Sequence, residues 1–172
     1  VLRADNPNVD FDGLNRMSGL KFDAGFAPDY WGSLTGGDNG GSYAMFANWA
    51  ELLTGGNGEG GYLGSTGAAS DGTLSGGDAR GVRVTIHNGN TAGVGGGCAA
   101  QAPGTVTTGI ELAIPLDSLE WTDGHTFKVC AFVNGGSHDF ASNQVIPGLP
   151  DGTCNLGDPH SVDFTAHAGD QF

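Results

Sequence analysis

Residues 81–87 read GVRVTIH, with Val82, Val84 and Ile86 on one side and Arg83 and Thr85 on the other. Successive side chains leave an extended backbone on opposite sides, so this alternation marks a strand with one face in a core. Residues 108–114 (TGIELAI) repeat the pattern, grouping Ile110, Leu112 and Ile114 and turning Glu111 outward. Residues 126–133 (TFKVCAFV) place Phe127, Val129, Ala131 and Val133 on one face. Shorter strands are expected at 20–26, 30–34 and 161–165. Residues 115–119 (PLDSL) predict one helical turn, because proline suits the first turn of a helix.

Residues 42–53 (SYAMFANWAELL) fit two periods. Met45, Phe46, Trp49, Leu52 and Leu53 would form a helical stripe, whereas Tyr43, Met45, Ala47 and Trp49 would form a strand face. Glycines at both ends and strands on either side favour a strand, with Trp49 in the core. Between these elements lie loops rich in Gly, Asn, Ser and Asp at 35–41, 54–61, 65–77 and 89–104. Glycine supplies 33 of 172 residues, well over twice the ordinary share of roughly 7%. Short strands joined by glycine-rich turns predict one all-β domain over 1–172, an antiparallel β-sandwich of jelly-roll type with long Gly-rich loops.

Six Lys and Arg against 19 Asp and Glu leave a formal charge of −13. Such a surface repels phosphate backbones and anionic lipid, which argues against nucleic-acid partners. No apolar run approaches the roughly 20 residues that cross a bilayer, so no membrane insertion is expected. Of three cysteines, Cys98 and Cys154 lie in loops and Cys130 in an apolar run. That placement points to a Cys98–Cys154 bridge with Cys130 a half-buried thiol, Cys130–Cys154 being the competing pair. A bridge in turn implies an oxidising compartment, extracellular or at the cell surface.

The densest carboxylate cluster is DNPNVDFDG at 5–13. Asn8, Asp10, Asp12 and Gly13 match the start of a calcium loop, in which alternate oxygens face one way before a glycine turn, and Asp5 adds a further oxygen. Position 19 is glycine where an EF-hand would have its bidentate glutamate, so a sandwich-edge calcium site is expected instead. Loop hydrogen bonding is the expected role of His138-Asp139 and Asp158-Pro159-His160, since no nucleophile accompanies them. No hydrolase, zinc-protease or kinase motif is present, and the chain is not expected to be an enzyme. Sugar binding requires exposed aromatic surface beside polar groups, for which Tyr30, Trp31 and Trp121 are the candidates.

Several segments together carry a resemblance: NGNTAGV (88–94), GIELAIPLDSL (109–119), VCAFVNGGSHDFASNQ (129–144), GTCNLGDPHSVDF (152–164), AGDQF (168–172) and the opening DNPNVDFDGLNRMSGLKFDAGFAPDYW. They resemble a family of secreted, surface-associated bacterial β-sandwich proteins, mostly without assigned function. The strand followed by IPL is also similar to the DOMON and family-9 carbohydrate-binding-module group, jelly rolls that bind sugars or haem, some with structural calcium. Haem in that group uses a Met/His pair, which the spacing of Met17 and Met45 from His87, His125 and His138 does not favour. The resemblance implies further strands before residue 1 and past residue 172. A sandwich lacking those strands exposes backbone edges that seek a partner. The expectation is a non-catalytic surface or matrix module that self-assembles into a homo-oligomer or filament. The alternative is a carbohydrate-binding module, with polysaccharide as its partner.

Overall fold

The computed structural model describes residues 12–38, 40–53, 58–69, 71–86, 98 and 102–172. A four-residue helical turn, α1 (Asp12–Asn15), precedes strand β1 (Tyr30–Asp38), which pairs antiparallel along its whole length with β2 (Tyr43–Glu51). The segment with two possible periods is therefore a strand. Gly40 (φ +68°) and Gly41 (φ +91°) turn the chain between them, in the left-handed region where a Cβ is strained. The Gly41 amide donates to Asp38 Oδ1 at 3.1 Å.

Strand β3 (Gly60–Ser65) pairs with β2, and a register shift at Ala47/Asn48 leaves Leu63 as the extra residue of a bulge. Strand β4 (Asp71–Thr73) belongs to a second sheet, while β5 (Ser75–Gly76) extends the first to the order β1-β2-β3-β5. β3 and β5 approach closely at Gly64, where a Cβ would stand 2.6 Å from the Ser75 carbonyl oxygen. The second sheet has the order β4-β6-β7, with β6 at Arg83–Ile86 and β7 at Ile110–Ala113. A hairpin of β8 (Ala131–Asn134) and β9 (Ala141–Ile146) completes the strands among the described residues. Every named pairing is antiparallel, so the all-β class holds. The helical turn expected after β7 is a 3-10 turn at Leu116–Leu119.

The first two sheets share a core. Met45 and Ala47 of β2 and Leu63 of β3 meet Leu74, Val82 and Val84, with Leu34, Trp49, Ala79 and Ile86 at the margin. Each of the larger side chains fully removed from water contributes about 1.5–3 kcal/mol. A second cluster gathers Leu20, Ala141, Val145, Val162 and Phe164 around the β8–β9 hairpin. A third packs Leu14 of α1 on Ala50 and Leu52, with Trp31 against them.

Three expectations differ from the structure. Segments 20–26 and 161–165 pair as extended chain only at a parallel bridge between Lys21 and Asp163, flanked by 3-10 turns at Pro159–Ser161 and Phe164–Ala166. Asp158 and Asp163 cap those turns, accepting from the amides of His160 and Thr165, and this local bonding competes with a ladder. Thr165 and Lys21 also donate to the Asp163 carboxylate, which hold it below the usual carboxylate range.

Segment 126–133 forms a strand only at its end and presents the opposite face. Phe132 pairs with Val145 and turns inward, while Ala131 pairs with Ile146, which is 70% exposed. Phe127, Val129 and Val133 are exposed, as is Ala131. Contact of Phe132 with the buried Phe164 ring, at 6.1 Å between centroids, accompanies that choice. Finally, β7 forms in register with β6, yet Ile110, Leu112 and Ile114 are 52%, 44% and 39% exposed.

Cys98 and Cys154 are bridged and Cys130 is the free thiol, half-buried. Burial first, and then the charge of Asp23, pushes the Cys130 thiol up to about 11. Such a shift keeps the thiol protonated at neutral pH.

Candidate functional site

The register of the first sheet isolates Trp49. Its cross-strand neighbours are Gly32 on β1 and Gly61 on β3, so no side chain stands beside the indole on either strand. A Cβ placed on Gly61 would meet nothing within 4 Å. Tyr30 lies diagonally across on the same face, its ring centroid 6.2 Å from that of Trp49. Arg80 lies over the indole at 4.0 Å from its centroid, and its Nε donates to Asp78 Oδ2 at 2.9 Å. Trp49, Glu59, Gly60, Gly61, Asp78 and Arg80 line an open recess of about 280 Å³.

Glu59 and Asp78 stand beside Trp49, and further carboxylates act on Tyr30. Burial raises the Tyr30 phenol above its ordinary value, and the charges of Glu120, Glu51 and Asp29 add to the effect while Arg80 opposes it. Glu51 and Glu59 hold each other in place: the Glu51 amide donates to the Glu59 carbonyl at 2.7 Å, and the Glu59 amide to Glu51 Oε2 at 3.3 Å. The turn ending at Glu120 is tied to the same corner, since Ser118 Oγ donates to the Arg80 carbonyl at 3.2 Å. Aromatic surface, guanidinium donors and carboxylate acceptors are groups that bind polar ligands.

The residues singled out from sequence are dispersed. Asp5, Asn8 and Asp10 lie outside the described residues, and Asp12 begins α1. Among the described residues, no group of three or more His, Cys, Asp or Glu is placed to hold a metal ion. Tyr30 and Trp31 are consecutive in β1 and occupy opposite faces, Tyr30 beside Trp49 and Trp31 against Leu14, Ala50 and Leu52. Trp121 follows Glu120 but stacks on Phe127, 6.0 Å between centroids and 20° between planes. His160 Nδ1 lies 3.0 Å from Ser18 Oγ, and His138 Nδ1 lies 2.9 Å from Asn134 Nδ2. Asp158 bonds the His160 backbone amide, leaving the imidazole without that carboxylate as an orienting partner.

Trp49 packs partly buried at the margin of the core, as its apolar neighbours implied, while sequence reasoning missed Glu59, Asp78 and Arg80 altogether. The last three sit in GGNGEGG and SGGDARG, stretches whose composition reads as linker. One signal was present: Arg80 is among only six Lys and Arg in the chain.

No protein-family model, no curated protein and no solved structure matches this chain.

Proposed function

We propose that this chain is a non-catalytic extracellular β-sandwich module that self-assembles through a strand edge within a surface or matrix structure. The observation that carries the reading is β7. Among the described residues it is the terminal strand of its sheet, and all four of its residues are exposed. Leu112 lies opposite the buried Val84 and Ile110 opposite Ile86, so the exposed apolar side chains lie on the face that carries the core. The four-stranded sheet covers β6 and leaves β7 open. An uncovered strand with an apolar inner face is a template for another strand. A second copy suits it, because a two-fold axis would set the same edge against itself.

Charge modulates this contact. At a formal −13, copies repel one another, and salt or calcium screens the repulsion. Sedimentation velocity is expected to show oligomers whose proportion rises with protein concentration and with salt. Leu112→Lys, which buries a charge in any such contact, is expected to leave a monomer of unchanged thermal stability. A wild-type chain that stays monomeric throughout, or a Leu112→Lys variant that assembles like wild type, would overturn the reading.

The Cys98–Cys154 bridge supports an oxidising location. Among the described residues, no helix is long and apolar enough to cross a membrane. The proposal includes calcium held by Asp5, Asn8, Asp10 and Asp12, which would stabilise the fold by binding only its native state. Chelation should then lower the melting temperature, and Asp10→Ala with Asp12→Ala should abolish the response. An unchanged melting curve in EDTA removes the ion from the account. A carbohydrate-binding module is the second reading, favoured by the recess at Trp49.

A further inference from the structure

The β8–β9 hairpin is apolar on both sides. Phe132 and Val145 pair across the ladder and face the second cluster, so their neighbours Ala131, Val133 and Ile146 turn to the other side. Val133 and Ile146 are 51% and 70% exposed, and Phe140, which precedes the fully buried Ala141, is 43% exposed. The run into β8 adds exposed Phe127 and Val129, while Lys128 is engaged elsewhere, its Nζ donating to the Gly25 carbonyl at 2.8 Å and lying over the Phe172 ring. Strands apolar on both sides are ordinarily covered on both. Here the core covers one.

Area and charge name the occupant of the other. Those side chains leave on the order of 500 Å² of apolar surface in water, near the upper end for a monomer. Set against its own copy, a face of this size buries roughly 1,000 Å², the least that a specific contact needs. The face also carries no carboxylate. Asp139 is the one acidic residue between positions 127 and 146, and it lies in the loop that joins the two strands. A basic segment would find nothing to pair with on the strands, although the chain as a whole stands at −13. A second copy meets an uncharged surface like its own, at the place where two such chains repel least.

A second contact surface also changes what β7 can build. Contact through β7 about a two-fold axis joins two copies and stops there. A further two-fold contact at a different place on each chain joins pairs to pairs, and the assembly then grows without an end. We propose that the outer face of the β8–β9 hairpin stacks on the same face of a second copy, as two sheets pack in a sandwich, and that this weak contact extends β7 pairs into a filament. The stacking stands by itself; only the growth into filaments rests on the β7 reading.

Leu112→Lys, which disables the β7 contact, isolates the stacking. Translational diffusion of that full chain, measured by nuclear magnetic resonance, is expected to be that of a monomer at about 20 µM and to slow toward that of a dimer by about 2 mM, for a Kd of about 0.5 mM. Adding Val133→Lys or Ile146→Lys sets a charge on the face. Either double variant is expected to stay monomeric at about 2 mM with an unchanged melting temperature, since both positions are exposed. Two positions are used so that a perturbed hairpin in one variant does not decide the outcome. In electron micrographs of concentrated protein, wild type is expected to form filaments and Ile146→Lys alone to stop at pairs.

A Leu112→Lys chain that diffuses as a monomer at about 2 mM would mean that something other than a second copy covers the face, and overturns the proposal. Double variants that dimerise like their parent, or filaments of Ile146→Lys, overturn it as well. Failure of the β7 reading looks different. Wild type and Leu112→Lys would then share one concentration dependence while the double variants stay monomeric, which upholds the stacking and removes the growth.

Discussion

Removing the Cys98–Cys154 bridge, by reduction or by the paired substitutions Cys98→Ser and Cys154→Ser, is expected to destabilise the fold by about 4 kcal/mol in the chain-entropy model. The bridge joins residues 56 apart, and the loop that it closes includes β7, β8 and β9. Without the bridge, the unfolded chain regains the freedom of that whole loop, which is the source of the effect. For a domain of this size the melting temperature should fall by roughly 8–16 °C. No alternative pairing can rescue the loss, because the double substitution leaves Cys130 as the chain's single cysteine and reductant keeps every thiol free. Thermal unfolding with and without reductant reads the difference. A fall no larger than that of a Cys130→Ser control would show that the bridge contributes nothing through the unfolded chain.

Phe164→Ala should cost about as much, roughly 3–5 kcal/mol, through a cavity. Phe164 is fully buried at the centre of the cluster around β8 and β9. Its ring stacks with Phe22 at 5.9 Å and meets Phe132 edge-on at 6.1 Å, and its amide donates to the Lys21 carbonyl. Truncation removes contacts with residues from three separate stretches of chain, none of which can move in freely. Ile146→Ala is the matched comparison. Ile146 precedes Pro147, pairs outward with Ala131 and is largely exposed, so its truncation should cost less than about 0.5 kcal/mol. Chemical denaturation of both variants measures the two costs. Equal losses would mean that the β8–β9 register is shifted by one residue.

That one-residue question shows what the sequence makes legible and where it runs out. Residues 81–87 carry alternating side chains of contrasting polarity, and β6 forms there with Val82 and Val84 buried as expected. In TFKVCAFV both faces are apolar, so period two identifies a strand without saying which side faces the core. Contact between Phe132 and the distant Phe164 decides it. β9, with the sequence ASNQVI, escaped notice because polar Ser142, Asn143 and Gln144 separate Ala141 and Val145, the two residues it gives to the core. Glycine-rich β3, β4 and β5 escaped for a related reason: glycine has no side chain to display a period.

The recess was half legible. Tyr30 was singled out as an aromatic candidate, and its ring lies 6.2 Å from that of Trp49, although it does not line the recess. Trp49 was assigned to the core and does pack partly buried against it, but its cross-strand neighbours are glycines, which leaves the recess beside it. Cross-strand partners follow from register, which a single sequence does not display. Arg80, Asp78 and Glu59 reach the indole from loops whose composition carries no pattern at all.

The central claim is that the exposed β7 edge is completed by a second copy of the chain. Hydrogen exchange of the backbone amides of Glu111, Leu112 and Ala113 tests it most directly, measured on dilute and on concentrated protein in the same buffer. Those amides of β7 that do not bond to β6 should exchange rapidly when dilute and become protected when concentrated, while the amides of β2 keep the same rates in both samples. Equal, rapid exchange of the outward β7 amides at both concentrations would contradict the account.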